Sequence, residues 1–212
     1  MTHLAHINPL LFAPGDALSR DEFLALWERM PAIKFAELID GLVYIPSPLS
    51  FDHGRYDLLS HAFFRHYCDR SGRYQGLANA TWLMLESAPQ PDLALRLLPE
   101  FGGRTEVENS LAKGVPDLVV EVVRSSRSYD LGPKLALYQR AGVPELVAAL
   151  TDEKRIQWRV LQNGSYQLLS PEDGIFRSPS LPGLWLDEQA FWADDLARLL
   201  ATLQKGLATL SK

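Results

Sequence analysis

The stretch from Leu118 to Val123 constrains the fold of this chain more than any other. It is an almost unbroken aliphatic run, LVVEVV, of the kind that forms a strand buried on both faces of a sheet. Two carboxylates interrupt the pattern, Asp117 at its start and Glu121 in its middle. Because side chains alternate along a strand, both acids are predicted to lie on one face. A buried carboxylate must be protonated, ion-paired or bound to a metal, and two acids on one strand face suit a divalent cation.

A helix is predicted directly after this strand. Asp130 and Pro133 precede the segment KLALYQRAG, so that a proline stands in the first turn and Gly142 ends the helix. Lys134 falls in the first turn, where the helix dipole slightly disfavours a cation. Its position therefore has a small electrostatic cost unless an acid such as Glu121 lies nearby.

Local signals predict several more elements. Ser19 begins a capping box that opens a helix, and Asp40-Gly41 joins two short apolar runs in a hairpin. An amphipathic helix follows and ends at Gly72, and one closing helix runs from Asp187 onward to cover the core or to face a second subunit, core cover being favoured. The polar segment 100–114 is predicted to be a mobile loop.

These elements predict an α/β (α+β) fold with a central mixed sheet flanked by helices. With 212 residues, no internal repeat and no linker, residues 1–212 are predicted to form a single domain. The sheet is predicted to contain Thr81–Glu86, Asp92–Leu98, Leu118–Val123 and Leu146–Leu150, with helices near 52–70 and 131–141 on its faces.

Composition limits the classes of function. A hydrophobic content of 47% is typical of a soluble globular protein, and we expect no signal peptide and no membrane span. The single cysteine, Cys68, excludes an intramolecular disulfide and a cysteine-based zinc cluster, which agrees with a cytoplasmic location. A net charge of −5 argues against broad non-specific binding to nucleic acid. It does not exclude a nuclease, because metal-binding carboxylates make such a site acidic until the cation binds.

The string PDLVVEVV, a Ser/Arg-rich loop, YDLGPKLALYQRAGVPE and a further apolar run resemble the Uma-two endonuclease family. This family is a branch of the PD-(D/E)xK restriction-nuclease-like superfamily. The similarity extends to the FAELIDGLVYIPSP hairpin, the helix bearing His53, QPDLAL at 90–95 and LPGLWL near the end, so it covers most of the chain.

The resemblance implies a restriction-endonuclease-like fold and a nuclease that hydrolyses phosphodiester bonds, in DNA more than in RNA, with Mg²⁺ or Mn²⁺. It implies that Asp92, Glu121 and the backbone carbonyl of Val122 bind the metal. Lys134 would orient the attacking water or stabilise the transition state. Glu37 and Asp117 would be accessory acids. Because nucleases that cut both strands are commonly dimers, a homodimer is also implied.

Each of these residues also has a simpler interpretation. Glu37 could be a carboxylate at the rim of the sheet or a partner in a cross-strand salt bridge. Asp92 could be an ordinary turn residue, and His53 could be a helix cap or a surface residue. Lys134 fits a solvated lysine. The superfamily has a lysine two residues after the strand acid, where this chain has Val123, so Lys134 would have to replace it in space.

The second functional hypothesis is therefore a non-catalytic binding or assembly module on the same scaffold, since a fold alone does not establish activity. The loop RSSRS also departs from the Ser-Pro-Ser-Thr pattern of the family. This difference predicts altered phosphate contacts near Arg124 and Arg127.

Overall fold

A computed structural model describes residues 11–46, 49–124 and 131–210 of the protein. These residues form five α-helices, thirteen β-strands and one 3₁₀ turn. The helices are α1 (Arg20–Glu28), α2 (Phe51–Ser71), α3 (Leu131–Ala141), α4 (Glu188–Trp192) and α5 (Leu196–Ala208). The strands are β1 (Glu37–Ile39), β2 (Leu42–Tyr44), β3 (Tyr74–Ala78), β4 (Trp82–Leu83), β5 (Leu93–Leu97), β6 (Glu106–Glu108), β7 (Leu111–Lys113), β8 (Leu118–Val123), β9 (Glu145–Leu150), β10 (Arg155–Gln162), β11 (Ser165–Leu168), β12 (Ile175–Arg177) and β13 (Trp185–Asp187), and the 3₁₀ turn is Pro99–Phe101.

Six strands form the central sheet, in the order β11-β10-β9-β8-β5-β3. Strands β8 and β9 are parallel, because α3 crosses over between them, and every other neighbouring pair is antiparallel. The sheet is thus mixed and flanked by helices, as predicted. Strand β8 lies inside it, between β9 and β5.

Different helices cover the two faces of β8. Val120 and Val122 pack in one core cluster with residues of α2 and α5, and Val119 packs in another with Leu137 and Tyr138 of α3. This two-sided cover explains the continuous apolar run, since no face of the strand meets water. Because side chains alternate, Glu121 shares the α3 face with Val119.

The prediction of a central strand over Thr81–Glu86 is wrong. Only Trp82–Leu83 is a strand, and it pairs in parallel with β7 in a separate three-stranded sheet. Leu85 has a positive φ of 52°, and Met84 and Ser87 exchange backbone hydrogen bonds across a tight turn. The chain therefore turns where a strand would continue, and β3 takes the position beside β5.

The segment 100–114, which its polarity predicts to be a loop, contains regular structure. It contains part of the 3₁₀ turn and the antiparallel pair of β6 and β7. Asn109 and Ser110 join the two strands with positive φ values of 49° and 67°. Short polar side chains tolerate this conformation, so a polar segment can form a hairpin.

The other local signals are confirmed. Ser19 caps α1 in a complete capping box with Glu22, and Asp40 and Gly41 both have positive φ, as a type I′ hairpin turn requires. Helix α2 begins after the cap Ser50 and ends at Gly72, whose φ is 63°.

The closing helix is divided in two, which the apolar pattern does not reveal. Asp187 caps α4 and Asp195 caps α5, with Asp194 between them at a φ of 57°. Leu199 and Leu203 of α5 are fully buried in the core cluster beneath α2, so the predicted role as core cover is confirmed. None of the described helices has the length and apolar character needed to cross a bilayer.

Candidate active site

Glu121 is a carboxylate buried inside the sheet, with only 3% of its surface exposed. Tyr138 Oη donates a hydrogen bond of 2.7 Å to its Oε1 atom. Lys134 Nζ lies 2.8 Å from Oε1 and 3.0 Å from Oε2. The partner that a buried acid requires is thus supplied by α3, the crossover helix that packs on this face.

Lys134 is the centre of a buried ion-pair network rather than a solvated lysine. Its side chain is 9% exposed, and its Nζ atom lies 3.0 Å from Glu37 Oε1 as well as near Glu121. It also donates a hydrogen bond of 3.1 Å to the carbonyl of Gln90. The prediction that the ammonium reaches Glu121 from the first turn of the helix is confirmed.

Glu37 points inward from the first strand of the hairpin. Its Oε1 accepts a 2.6 Å hydrogen bond from the backbone N–H of Gln90 in addition to the Lys134 contact. Leu38 and Ala88 exchange backbone hydrogen bonds, which attach the hairpin to the segment before β5. This attachment brings Glu37 to residues about fifty to one hundred positions away, beyond the reach of any local pattern.

Asp92 lies just before β5, opposite Glu121 on the neighbouring strand, because Leu93 pairs with Val120 in antiparallel register. Its Oδ2 accepts a hydrogen bond of 2.7 Å from the N–H of Val122. Val122 contacts the site through this N–H group. That its carbonyl binds a metal stays a prediction.

The structure does not bring Asp117 to this cluster. Its Oδ2 accepts a 2.6 Å hydrogen bond from the N–H of Leu97, so the carboxylate turns toward the neighbouring strand β5. Asp117 precedes Glu121 by four residues, which corresponds to about 13 Å along a strand.

This contact leads to a test of Asp117. Asp117→Asn is expected to keep both the fold and the Mn²⁺ affinity, because an amide oxygen can still accept the Leu97 N–H. Asp117→Ala is expected to lower the free energy of unfolding by roughly 1.5–3 kcal/mol, the scale of a hydrogen bond to a charged group. Chemical denaturation and Mn²⁺ titration calorimetry measure the two quantities. Weaker Mn²⁺ binding by Asp117→Asn would restore the accessory metal role that the resemblance implies.

Burial and charge shift the pKa values of the cluster. Burial raises the pKa of Glu121 to about 8, although the Lys134 charge acts in the opposite direction. Burial also raises the pKa of Asp92 to about 6, against the effects of Lys134 and the Val122 N–H. Burial alone would lower the pKa of Lys134, but Glu121, Glu37 and Asp92 outweigh it and hold that pKa above its ordinary value. The ammonium therefore stays charged, and Asp92 and Glu121 take up protons as the pH falls.

The charges of the cluster fit a divalent cation. Three carboxylates, Glu37, Asp92 and Glu121, surround one ammonium, which leaves a surplus of negative charge when all are ionised. A carboxylate offers about four lone-pair directions, and the contacts described for Glu121 use three. Hard cations such as Mg²⁺ and Mn²⁺ prefer oxygen ligands of this kind.

Sequence reasoning missed three residues of α2 and α3 that border Asp92 and Glu121. Tyr138 is a donor to Glu121, and Asp57 and His61 follow His53 at four-residue intervals along α2. His53 Nε2 lies 3.7 Å from Asp92 Oδ1. The four-residue spacing is readable in the sequence, but it does not reveal which element the helix face meets.

The Ser/Arg-rich loop lies largely outside the described residues, including Arg127 and the predicted helix-start residue Asp130. Arg124 is described, and its guanidinium lies 3.4 Å from Asp152 on the surface. Its predicted phosphate contacts stay a prediction.

Comparison with known proteins identifies related folds and a family. The fold is similar to the crystal structure of a "putative nuclease" from Anabaena variabilis ATCC 29413, with a TM-score of 0.67 and 15% sequence identity, over 83% of this chain and 98% of that chain. At this identity the shared property is the fold. No curated protein matches the sequence significantly. The Uma2 family, described as "Putative restriction endonuclease", matches residues 20–189. That match covers most of the chain and includes Glu37, Asp92, Glu121 and Lys134, so the chain belongs to the Uma2 family.

Proposed function

We propose that the protein is a metal-dependent nuclease that hydrolyses phosphodiester bonds in DNA. The observation that carries the proposal is the position of Lys134, whose ammonium is buried between Glu37 and Glu121 beside Asp92. The family pattern of two acids and a lysine is thereby assembled although Val123 occupies the usual lysine position. Asp92 and Glu121, with the carbonyl of Val122, would hold Mg²⁺ or Mn²⁺.

The chemistry is addition of water to phosphorus and departure of one ester oxygen, which leaves a phosphate monoester and a hydroxyl group. A bound divalent cation supplies a water of lowered pKa and neutralises charge on the phosphate. Lys134 would stabilise the negative charge that develops in the transition state, because its ammonium is fixed in position before substrate arrives. Glu37 holds that ammonium in place, and Tyr138 holds Glu121 in place.

A cytoplasmic location and a homodimer complete the proposal. The buried, unpaired Cys68 agrees with a reducing compartment. Nucleases that cut both strands of a duplex are commonly dimers, and two copies of this chain would supply two active sites.

A non-catalytic module is the competing function, and one observation favours it. Both oxygens of Glu121 already have protein partners, Lys134 and Tyr138, so the acid is neutralised without a metal. Incubation of supercoiled plasmid with purified protein and Mg²⁺ or Mn²⁺ decides between the two. Nicked and linear products that EDTA prevents are expected of the nuclease, and intact plasmid under every metal would favour the module.

Metal affinity is expected to depend on pH. Because the pKa values of Asp92 and Glu121 are raised to about 6 and about 8, protons occupy these carboxylates at lower pH and compete with the cation. Mn²⁺ affinity should therefore rise between pH 6 and pH 8, by about tenfold per pH unit for one displaced proton, and level off above pH 8.

Isothermal titration calorimetry over this range measures the effect, with Glu121→Gln as the matched variant. The amide cannot titrate, so the rise between pH 6 and pH 8 should disappear in it. Wild-type affinity that is constant over the same range would contradict the assignment of Glu121 as a ligand.

A further inference from the structure

Helix α2 presents a second group of metal-ligating side chains next to the proposed site. His53, Asp57 and His61 follow one another at four-residue spacing, which places them on one face of the helix. That face meets Asp92 at the start of β5. His53 Nε2 lies 3.7 Å from Asp92 Oδ1, and His61 Nε2 lies 3.0 Å from the Asp92 carbonyl oxygen.

Asp57 carries an oxygen atom that accepts no hydrogen bond within the described part of the chain. Its Oδ1 is inaccessible to solvent and accepts no hydrogen bond from the described residues, although His61 Nε2 is 3.5 Å away. Burial raises the pKa of Asp57, as expected for a partly buried carboxylate, although His61 and His53 act in the opposite direction. A buried acceptor in this state normally has a donor or a cation as its partner.

Asp92 has one carboxylate oxygen, Oδ1, that faces His53 and could bind a cation. Its Oδ2 is held by the Val122 N–H, whereas Oδ1 faces His53 at a distance beyond a hydrogen bond. One atom each from His53, Asp57 and Asp92 lie within 4.8 Å of one another. Ligands bound at about 2.0–2.2 Å to one ion are separated by at most about 4.4 Å, so small side-chain rotations would suffice.

We propose that His53, Asp57 and Asp92 form a binding site for a divalent transition-metal ion such as Mn²⁺. One imidazole nitrogen and two carboxylate oxygens make up the ligand set. Imidazole favours first-row transition metals and carboxylate favours Mg²⁺ and Mn²⁺, so Mn²⁺ accepts both ligand types whereas Mg²⁺ does not. His61 holds the Asp92 backbone through its hydrogen bond to the carbonyl and so orients that ligand.

This site adds to the proposed function and depends on it only through the shared residue Asp92. It assigns the face of α2 to metal binding and predicts a nitrogen ligand, which the set of Asp92, Glu121 and Val122 lacks. It also predicts that the protein binds Mn²⁺ more tightly than Mg²⁺.

The test detects the nitrogen ligand directly. Electron spin echo envelope modulation of Mn²⁺ added to the purified protein is expected to show coupling to ¹⁴N of imidazole. The coupling should be lost in His53→Ala, and Mn²⁺ affinity should fall by ~10-fold or more in Asp57→Asn. The ¹⁴N coupling should persist in Glu121→Gln and in His66→Ala, the matched control on the same helix. Circular dichroism tests whether each variant is folded. If His53→Ala does not fold, His53→Gln replaces it.

Two results would overturn the site. One is Mn²⁺ bound to wild type without ¹⁴N coupling, and the other is coupling that survives in folded His53→Ala or His53→Gln. Both are independent of plasmid cleavage. Cleavage without ¹⁴N coupling would leave the nuclease proposal intact and refute this site. Coupling to ¹⁴N without cleavage would support this site and refute the nuclease proposal.

Discussion

Replacing Lys134 with methionine is expected to lower the rate of plasmid cleavage by ~10²-fold or more. That is the scale of effect when one preorganised group that stabilises charge in the transition state is removed. Methionine has a similar length and no charge, so the variant removes the ammonium while filling most of its space. Steady-state cleavage with Mg²⁺ and with Mn²⁺, at equal concentrations of folded protein, measures the loss.

The burial of Lys134 adds an effect on stability that its position in the sequence does not predict. Removing one partner of a buried ion pair costs about 3–5 kcal/mol when the remaining charge is left unpaired. In the variant the carboxyl pKa of Glu121 should rise further above its ordinary value, so the folded state favours the protonated form. The deficit relative to wild type is therefore smallest below about pH 8, where Glu121 is protonated in both folded proteins, and it grows above pH 8, where only wild-type Glu121 ionises.

Lys113→Met provides the matched control for Lys134→Met. Lys113 pairs with Glu108 on the surface, where both side chains are nearly half exposed. Surface ion pairs contribute little to stability, so this variant should melt and cut like wild type. Equal cleavage rates of wild type and Lys134→Met would refute the role proposed for Lys134.

The second large effect is expected for Asp92→Asn, which should abolish cleavage and reduce Mn²⁺ affinity by more than ~100-fold. Loss of a residue that only orients a metal ligand typically costs ~10–100-fold in affinity or activity, and Asp92 is proposed as a ligand itself. The amide is preferable to alanine here, because its oxygen can still accept the Val122 N–H and so preserves the strand contact.

Titration calorimetry with Mn²⁺ measures the affinity, and Asp152→Asn is the control. Asp152 is an exposed acid whose described partner is the surface residue Arg124, so its amide should bind Mn²⁺ like wild type. Full Mn²⁺ heat from Asp92→Asn would exclude Asp92 from both proposed ligand sets. No heat from wild type would favour the non-catalytic module.

The structure places a lysine beside Glu121 although no lysine stands two residues after it on the strand. Val123 follows Glu121 by two residues, the spacing at which side chains share a face, so a lysine there would reach the same surface. In this chain α3 packs on that face and brings Lys134 within 2.8 Å of the acid. The helix and the strand are adjacent because α3 forms the crossover between β8 and β9, and such a crossover must cover one face of the sheet.

Short-range features of the chain were predictable from the sequence alone. The aliphatic run at Leu118–Val123 predicts a central strand, Asp40-Gly41 predicts the hairpin, and the Ser19 capping box predicts the start of α1. Each depends on interactions within a few residues, namely alternation along a strand, positive φ in a turn, and side-chain caps. The requirement that Glu121 find a partner also follows from the sequence, because it depends only on burial.

Only the tertiary structure decided which groups meet. Glu37, Lys134 and Glu121 come from a hairpin, a helix and a strand. Asp57 reaches Asp92 from α2, which covers the other face of β8 from α3. The same limit explains the error at Thr81–Glu86, where the apolar pattern fits a strand but β3 pairs with β5 instead. Strand pairing and ion-pair partners depend on packing between segments far apart in sequence, whereas periodicity and propensity report only on near neighbours.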